Sequence, residues 1–440
     1  MYKRQIGIGV AVSSDDVAAL IYTSGTTGNP KGVQLSHANL SALVAALAPL
    51  FPLGKGDRVL SVLPLHHTFE LTCGMLLPLS RGARIVYLDE LNAERLEFGL
   101  KEGKITSLIG VPALWEMLER RILSRVAEHG PVAAKLFDIA VELNRSLGKT
   151  VGVDAGKLLF GSVHQAFGGK LRYLVSGSAA LPERTHHLFA GLGMHMAEGY
   201  GLTEASPVLT VSSAGPRGRA GHVGRPIPGV EIKIAEPNAQ GVGEILARGP
   251  NVMLGYSDNP EATAEVIDGD GWLRTGDLGK LDRRGRLAIV GRAKDVVVAS
   301  NGENVYPDDV EARLDRVEGV KELCILGVPD GRGGERVACV AVPERDPELS
   351  LLEQRTKAKK ALEIALAKLP TGLRPALTLI LDKDLPRTAT RKVKRNEVRA
   401  EIERQERGQE AVRVSGPVDG VTALVRSTVA SIARRPTSQI

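Results

Sequence analysis

Short apolar runs of strand length alternate with longer helix-like stretches between residues 15 and 290. The apolar runs cover residues 18–22, 59–63, 84–88, 107–111 and 171–176, and the helix-like stretches include 39–47, 91–102 and 113–128. Parallel strands need a long crossover connection, which is usually a helix. The alternation therefore predicts an α/β fold around a buried, largely parallel sheet.

The character of the chain changes twice after this region. Glycine and proline become dense between residues 221 and 291, where short strand patterns predominate, which predicts a β-rich subdomain. Residues 295–405 have strand patterns at 323–328, 337–342 and 376–381 and a basic helix at 357–369, which is typical of a small α+β unit. We expect a large domain over 1–293, a small domain over 294–405 and a linker or tail over 406–440.

Composition limits the classes of partner. The 57 basic and 51 acidic residues give a net charge of +6, too small to indicate nucleic-acid binding, and the 4% aromatic content disfavours a base-stacking surface. No run reaches the ~18 apolar residues that a membrane helix needs, so we expect at most peripheral membrane contact. The three cysteines, Cys73, Cys324 and Cys339, have neither disulfide nor zinc spacing, which favours a cytoplasmic protein.

One segment carries most of the chemical information. Residues 22–33 have the sequence YTSGTTGNPKGV, and Ser36 can cap the helix-like stretch that follows. Glycines let backbone N–H groups approach a ligand, hydroxyls and N–H groups bind phosphate oxygens, and a lysine adds a point charge. Because Pro30 and Gly32 flank Lys31, the segment is not a Walker A loop. It predicts a phosphate-binding loop, and the alternative is a flexible, hydroxyl-rich turn.

The segment YTSGTTGNPKG resembles the signature phosphate loop of the acyl-adenylate-forming enzymes, which include acyl-CoA synthetases, luciferases and nonribosomal-peptide adenylation domains. Other segments resemble the family's motifs in the family's order, namely 200–204 (YGLTE), 272–277 (WLRTGD), 291–295 (GRAKD) with 301–304 (NGEN), and 386–392 (PRTATRK). The resemblance covers residues 15–405. It implies an AMP-binding core of layered α/β sheets with a β-rich subdomain, a small mobile α+β lid, and catalysis in the cleft between them.

The resemblance also implies a two-step reaction. A carboxylate is joined to the α-phosphate of ATP with release of pyrophosphate, and the acyl group then passes to a thiol, with Mg²⁺ as cofactor and ATP and CoA as co-substrates. The reacting phosphorus is crowded with negative charge, so positive charge and a metal must be in place. By resemblance, the phosphates are held by Thr23, Ser24, Gly25, Thr26, Thr27, Gly28 and Lys31.

The second and third motifs supply the metal and ribose contacts. By resemblance Thr203 contacts the α-phosphate and Glu204 holds Mg²⁺, which favours oxygen ligands. Outside its motif, Glu204 would be an ordinary helix or turn charge. A carboxylate such as Asp277 can accept hydrogen bonds from both ribose hydroxyls, and Arg292 resembles a second ribose contact.

A strand-end loop resembles the family's adenine-binding segment. Its alternative is an ordinary Gly/Ser turn after a strand. The residues expected at the adenine are Gly177, Ser178 and Ala179 of this loop, with Tyr200 stacking on the other face, and Gly201 is expected among the ATP-binding residues.

The C-terminal motif supplies the candidate catalytic lysine, Lys392, which by resemblance bridges the attacking carboxylate and the α-phosphate. With Lys31, Thr203 and Glu204 it completes the expected catalytic set. Its neighbours are strongly basic, and for most of them a solvated basic face is the simpler interpretation. Lys294 lies where the family has its hinge, and a long exposed side chain suits a pivot that absorbs large backbone changes.

Two segments indicate the class of acid. Residues 64–70 (PLHHTFE) resemble a motif of long-chain acyl-CoA synthetases and place His67 at the acyl site, although a histidine beside apolar residues is often a packing residue. The stretch 111–169 resembles the long-chain fatty acid subgroup, in which extra helices could form an apolar tunnel. The alternative is an amphipathic surface insertion.

These features together favour a long-chain fatty acid–CoA ligase. The alternatives are a fatty acyl-AMP ligase or acyl-carrier-protein synthetase that loads a carrier, and an inactive nucleotide-binding scaffold. Family members have a sizeable subdomain before the phosphate loop, so we expect an N-terminally truncated chain. Residues 421–440 resemble the first helix of an acyl-carrier domain, which would make a carrier a partner, or they form a plain amphipathic tail.

Overall fold

The computed structural model describes residues 11–23, 30–90, 92–215, 218, 220–298, 304–314, 316–330, 334–387 and 393–414, with the backbone alone for Ala93 and residues 405–414. The chain divides into two compact units, Met1–Ala293 (unit 1) and Lys294–Ile440 (unit 2). No helix in the described ranges is long and apolar enough to cross a membrane.

Unit 1 consists of strands and helices in alternation. The strands are β1 (Val17–Thr23), β2 (Lys31–Ser36), β3 (Arg58–Ser61), β4 (Arg84–Tyr87), β5 (Ser107–Gly110), β6 (Tyr173–Ser176), β7 (Met196–Tyr200), β8 (Thr210–Val211), β9 (Arg225–Pro226), β10 (Glu231–Ala235), β11 (Gly243–Arg248), β12 (Gly255–Tyr256), β13 (Leu273–Leu281) and β14 (Leu287–Arg292). The helices are α1 (His37–Leu47), α2 (Leu77–Ser80), α3 (Ala93–Glu102), α4 (Pro112–Ala127), α5 (Pro131–Val151), α6 (Gly156–Leu159), α7 (Gly161–Ala166), α8 (Glu183–Gly191) and α9 (Pro260–Val266). A π-helix covers Glu70–Leu76, and 3₁₀ turns cover Thr203–Ala205 and Ala293–Asp295.

The main sheet of unit 1 has the strand order β4-β3-β5-β6-β7-β8-β9. Strands β4 to β7 pair in parallel, and β8 and β9 are antiparallel additions. Successive residues of a strand point to opposite faces. Leu108 therefore packs in one apolar cluster and Ile109 in another, so both faces of the sheet are covered. The predicted α/β class with a buried parallel sheet is confirmed.

Two antiparallel sheets complete unit 1. Strands β10, β11, β13 and β14 form the predicted β-rich part. Strand β1 does not join the parallel sheet: it pairs antiparallel with β2, which in turn pairs with β12. Tyr22 lies opposite Gly32 and Thr23 opposite Lys31, so this pairing holds the two ends of the predicted phosphate loop side by side.

The predicted cap of α1 is present and has a tertiary function as well. The Ser36 hydroxyl accepts from the Asn39 backbone N–H at 3.1 Å, and the Asn39 carboxamide oxygen accepts from the Ser36 N–H at 2.9 Å. The Asn39 amide also donates to the carbonyls of Pro250 and Val252, each at 2.8 Å. The capping box therefore fixes the start of α1 against the segment that precedes β12.

The stretch 111–169 forms α4 to α7, and its helices differ in burial. Trp115 of α4 is completely buried, whereas α5 exposes a row of apolar side chains at helical spacing. The exposed row consists of Val132, Leu136, Ile139, Leu143, Leu147 and Val151. The amphipathic surface predicted as the alternative for this stretch is thus present on α5.

Unit 2 is the predicted α+β unit. Its strands are β15 (Val297–Val298), β16 (Asn304–Val305), β17 (Val320–Pro329), β18 (Glu335–Pro343) and β19 (Leu377–Ile380), and its helices are α10 (Pro307–Leu314), α11 (Leu351–Ala367) and α12 (Arg395–Val414). Strands β17 and β18 are antiparallel and β19 joins β18 in parallel. Helices α10 and α11 pack on one face of this sheet and α12 on the other.

Helix α11 begins six residues earlier than the predicted start at 357, because Ser350 and Glu353 form a capping box there. The resemblance of residues 421–440 to a carrier-domain helix falls outside the described residues.

Candidate active site

The candidate site of unit 1 forms where the parallel strands β5, β6 and β7 end. Carboxyl ends of neighbouring parallel strands meet at one edge of a sheet, where ligands of open α/β folds bind. The Gly177 N–H donates to the Gly110 carbonyl at 3.2 Å, and Ser178 has a left-handed backbone with φ +70°. The predicted adenine loop, Gly177 to Ala179, therefore turns sharply at the end of β6.

Gly201 follows β7 and permits a close approach of two chain segments. A Cβ on this residue would overlap the carbonyl oxygen of Pro207. The Leu209 N–H donates to the Tyr200 carbonyl at 2.8 Å and closes the same turn. Glycine is thus required here by packing of the backbone, independently of any contact with a nucleotide.

Three residues predicted to contact the nucleotide meet at one carboxylate. The Tyr200 hydroxyl donates to Asp277 Oδ2 at 2.8 Å, and Arg292 Nε lies 3.3 Å from Asp277 Oδ1. Strands β13 and β14 pair Asp277 with Arg292, which explains why residues of separate motifs come together. Burial raises the pKa of Tyr200, and the neighbouring Asp277 charge raises it further, so the phenol stays protonated as a donor.

Glu204, the predicted magnesium ligand, lies in the 3₁₀ turn Thr203–Ala205. Its Oε1 accepts from the Tyr256 hydroxyl at 2.9 Å, and its backbone carbonyl accepts from the Met253 N–H at 2.8 Å. Burial raises the pKa of Tyr256, and the Glu204 charge adds to this shift. The ammonium of Lys31 lies 4.8 Å from the centroid of the Tyr256 ring. Tyr256 therefore connects the predicted metal ligand to the predicted phosphate lysine.

Sequence reasoning did not identify Tyr256. It lies between the second and third motifs in the two-residue strand β12. Its pairing with Val33 of β2 brings it to the site, and this tertiary pairing has no local sequence signal.

The segment 64–70 reaches the second motif. The Thr68 hydroxyl donates to the Thr203 hydroxyl at 3.2 Å. His67 Nε2 is buried and has no hydrogen-bond partner within the described ranges. Burial, followed by the charge of His66, lowers the pKa of His67, which favours a neutral imidazole.

An apolar cleft adjoins the strand ends. Its more polar side consists of Ser107, Gly177, Ser178, Gly199, Tyr200 and Gly201. Its apolar walls are Leu47, Phe51, Leu53, Phe69, Cys73, Leu77, Ile109, Val175, Val208 and Val211. The lining thus comes from α1, the π-helix region and the sheet, and none of it from 111–169, where the sequence predicted a tunnel. His67 is absent from the lining, whereas Phe69 and Cys73 of the same region belong to it.

Glu70 begins the π-helix and is completely buried. Neither carboxylate oxygen has a well-formed hydrogen bond to any residue that the structure describes, and the carboxyl group fills the space above Gly74, where a Cβ would overlap it. Burial raises the pKa of Glu70 to about 7, against smaller lowering effects of the Ser61 hydroxyl and the Leu63 backbone. Sequence reasoning quoted Glu70 within its motif but gave it no role.

Several predicted residues lie outside the described ranges. These are Ser24, Gly25, Thr26, Thr27 and Gly28 of the phosphate loop and Lys392 of the C-terminal motif. The loop is bounded by described residues, since Thr23 ends β1 and Lys31 begins β2. Lys294, the predicted hinge, lies in the 3₁₀ turn Ala293–Asp295 at the start of unit 2.

The donors available at Glu204 fit Mg²⁺. Within the described part of the chain no group of three or more histidines, cysteines or carboxylates could hold a metal ion. Mg²⁺ does not require such a cage, because it keeps several waters and is usually bound through one or two carboxylates plus substrate phosphates. The half-buried Glu204, beside Thr203 and Tyr256, is a donor of this kind.

The chain is similar to known ligases and synthetases over most of its length. The chain is 34% identical over 404 residues to a 3-[(3aS,4S,7aS)-7a-methyl-1,5-dioxo-octahydro-1H-inden-4-yl]propanoyl:CoA ligase of Rhodococcus jostii, covering 89% of this chain and 66% of that protein. It is 32% identical over 400 residues to a long-chain-fatty-acid–CoA ligase of Salmonella typhimurium, covering 89% and 62%. The o-succinylbenzoate coenzyme A synthetase of Bacillus subtilis, solved with ATP and a magnesium ion, superposes with a TM-score of 0.66 at 27% identity, covering 89% and 72%.

The chain spans between about half and two thirds of the length of the curated relatives that it matches. Family models match two regions: an AMP-binding enzyme model covers residues 6–257, and a model of the AMP-binding enzyme C-terminal domain covers 309–392. These matches show that the chain belongs to the AMP-binding enzyme family.

Proposed function

We propose that this chain carries the adenylating machinery of a long-chain fatty acid–CoA ligase. The main support is that the apolar cleft shares residues with the proposed nucleotide site, since Ser178, Tyr200 and Gly201 line the cleft and Tyr200 also bonds Asp277. An apolar acid in the cleft would place its carboxylate beside the nucleotide. Sites of this kind are mostly apolar, with a few placed polar groups.

The nucleotide would be held through its sugar and its phosphates. Asp277 already accepts from Tyr200 and pairs with Arg292, but a carboxylate has about four lone-pair sites and can still accept from ribose hydroxyls. Thr23 and Lys31 would present the phosphate loop, and Thr203 would contact the α-phosphate. Glu204 would hold Mg²⁺, which neutralises phosphate charge when it is bound.

The chemistry has two balanced steps. In the first, a carboxylate oxygen of the fatty acid attacks the α-phosphorus, the bond to the bridging oxygen breaks, and pyrophosphate leaves with the electron pair. In the second, the CoA sulfur attacks the acyl carbonyl after losing its proton, and AMP leaves as the C–O bond breaks. Lys392 would stabilise the first step by holding the carboxylate and the α-phosphate together.

The preference for a long acyl chain rests on the walls of the cleft. Each buried methylene contributes ~0.8 kcal/mol, so a mostly apolar cleft favours long chains over short acids. The relatives' names include a long-chain fatty acid and a bicyclic propanoate, both of which carry a large hydrocarbon skeleton. The names of these relatives also support CoA as the acceptor. The three buried free thiols support a cytoplasmic location.

The test is product analysis by mass spectrometry with the full chain, ATP, Mg²⁺, CoA and straight-chain acids from acetate to stearate. We expect long-chain acyl-CoA and AMP, with Lys392→Ala forming neither but still converting supplied acyl-AMP. If acyl-AMP forms but acyl-CoA does not, the acceptor would be a carrier protein instead of CoA. ATP binding without any product would overturn the proposal in favour of a nucleotide-binding scaffold.

A further inference from the structure

Arg395, the first residue of α12, is surrounded by carboxylates. Its guanidinium lies 3.1 Å from Asp295 Oδ2, 2.5 Å from Asp308 Oδ1 and 2.9 Å from Glu311 Oε1. Its Nε also donates to the carbonyl of Ile325 at 3.1 Å. Only 18% of the Arg395 side chain is exposed, so its guanidinium is largely shielded from solvent.

The partners of Arg395 come from three parts of unit 2. Asp295 lies in the 3₁₀ turn beside Lys294, the proposed hinge, and Asp308 and Glu311 lie on α10. Ile325 belongs to β17, and its N–H donates to Glu311 Oε1 at 2.7 Å. Arg395 therefore joins the segment beside the hinge, α10, β17 and α12 at one point.

The described residues on the two sides of Lys392 are joined near this point. Arg387 and Val393 form an antiparallel bridge, and the Lys394 N–H donates to the Pro386 carbonyl at 2.8 Å. Glu322 holds the segment before this bridge, since it pairs with Arg387 and accepts from the Leu385 N–H at 2.9 Å. On the other side of Lys392, α12 begins at Arg395. Glu322 and Arg395 thus fix the described residues on the two sides of Lys392.

We propose that Arg395 is a positioning residue for Lys392, and that its ion pair with Asp295 couples the segment beside the hinge to the lysine loop. This inference rests on the proposed function, in which Lys392 holds the carboxylate and the α-phosphate. The ion pair between Asp295 and Arg395 joins the start of unit 2 to the start of α12, three residues after Lys392. A misplaced lysine loses its contribution to the adenylation step, because the reacting groups must meet in near-attack geometry.

The arrangement provides a matched pair of variants. Arg395 contacts α10 through both Asp308 and Glu311, so Asp308→Asn leaves one of these contacts in place. The ion pair with Asp295 links Arg395 to the segment beside Lys294, and Asp295→Asn removes it. Each variant replaces one carboxylate partner of the Arg395 guanidinium by a neutral amide of similar shape. A purely structural role predicts similar effects for the two.

The experiment measures fatty-acid-dependent exchange of pyrophosphate into ATP, and thioester formation from supplied acyl-AMP, with the full chain. For Asp295→Asn we expect the exchange kcat to fall about tenfold or more, with little change in KM for ATP or in the thioester step. Asp308→Asn should stay near wild type in both steps at a similar melting temperature. The proposal would be overturned if the two variants exchanged pyrophosphate into ATP at equal rates. It would also be overturned if the loss of this activity simply followed the loss of melting temperature.

A second measurement separates this inference from the proposed function. Hydrogen–deuterium exchange of the segment 293–298 does not depend on activity, and it should be faster in Asp295→Asn than in Asp308→Asn or wild type. If the wild-type protein shows no fatty-acid-dependent exchange of pyrophosphate into ATP, the proposed function is refuted. The difference in hydrogen–deuterium exchange between the variants would remain in that case. Equal protection of the segment in all three proteins would refute the coupling.

Discussion

The hydroxyl of Tyr200 donates a 2.8 Å hydrogen bond to the carboxylate of Asp277. The two residues come from different motifs, one at the end of the parallel strand β7 and the other in the antiparallel strand β13. Arg292 pairs with the same carboxylate, so the sheet that ends at the cleft and the β-rich part are joined at this carboxylate. The proposed ribose site is therefore formed by two sheets together.

Substitution of Tyr200 by phenylalanine removes this donor and keeps the ring. Hydrogen bonds to charged groups contribute ~1.5–3 kcal/mol, so we expect KM for ATP to rise about tenfold or more as Asp277 loses its orientation. Asp277→Ala should raise it further. Titration of initial rates with ATP measures both effects, and Tyr87→Phe on the exposed Tyr87 is the control. An unchanged KM for ATP in Tyr200→Phe would contradict the role of this contact.

Tyr256→Phe tests the link between Lys31 and Glu204. The phenyl ring retains the contact with Lys31, but the Glu204 carboxylate loses the hydrogen bond that orients it. Partners that orient a metal ligand typically contribute 10–100-fold to metal affinity, so we expect the half-saturating Mg²⁺ concentration to rise about tenfold. Rates measured over a Mg²⁺ series at fixed ATP would show this shift. The same half-saturation as wild type would mean that Tyr256 has only a packing role.

Filling the apolar cleft should shorten the preferred acid. Cys73 is buried in the cleft wall, so Cys73→Phe places a large side chain where we propose the acyl chain lies. Each excluded methylene costs ~0.8 kcal/mol, about fourfold in kcat/KM, so the ratio of palmitate to octanoate activity should fall steeply. Leu136→Ser on the exposed face of α5 is the control. A change of chain preference in Leu136→Ser but not in Cys73→Phe would place the acyl site along α5.

Glu70 predicts a pH dependence of stability. Its folded pKa of about 7 lies above the ordinary value of 4.5, so the folded state retains a proton that the unfolded chain has lost between these pH values. The contribution of Glu70 to the free energy of unfolding is fully present below pH 4.5. It is lost as the pH rises through 7, and the total loss is ~3 kcal/mol. We expect Glu70→Gln to be more stable than wild type at pH 8, with a much smaller gap at pH 5. Urea unfolding at both pH values measures this, and an equal or reversed gap would contradict it.

Local patterns were sufficient for much of the fold. The parallel strands were predictable because buried runs such as 107–111 alternate with helix-like stretches, and Ser36 was predictable as a cap because capping is local. The early start of α11 was missed although Ser350 and Glu353 form a capping-box pattern, because the basic residues from 357 onward dominated the interpretation.

The tertiary parts of the site were not predictable in this way. Tyr256 reaches Glu204 through the pairing of β12 with β2, and Leu47 and Phe51 reach the cleft from the end of α1. These positions depend on how distant elements pack, which leaves no periodic signal in one sequence. The π-helix at Glu70 likewise has no recognisable local pattern.

The central claim is that the fatty acid carboxylate attacks the α-phosphorus of ATP. The most direct measurement uses palmitate labelled with ¹⁸O in both carboxylate oxygens, together with ATP, Mg²⁺ and CoA, and mass spectrometry of the nucleotide product. Our account predicts AMP that carries one ¹⁸O atom, because the bridging oxygen of the acyl adenylate leaves with AMP. Label found in inorganic phosphate together with ADP, or AMP without label, would contradict it.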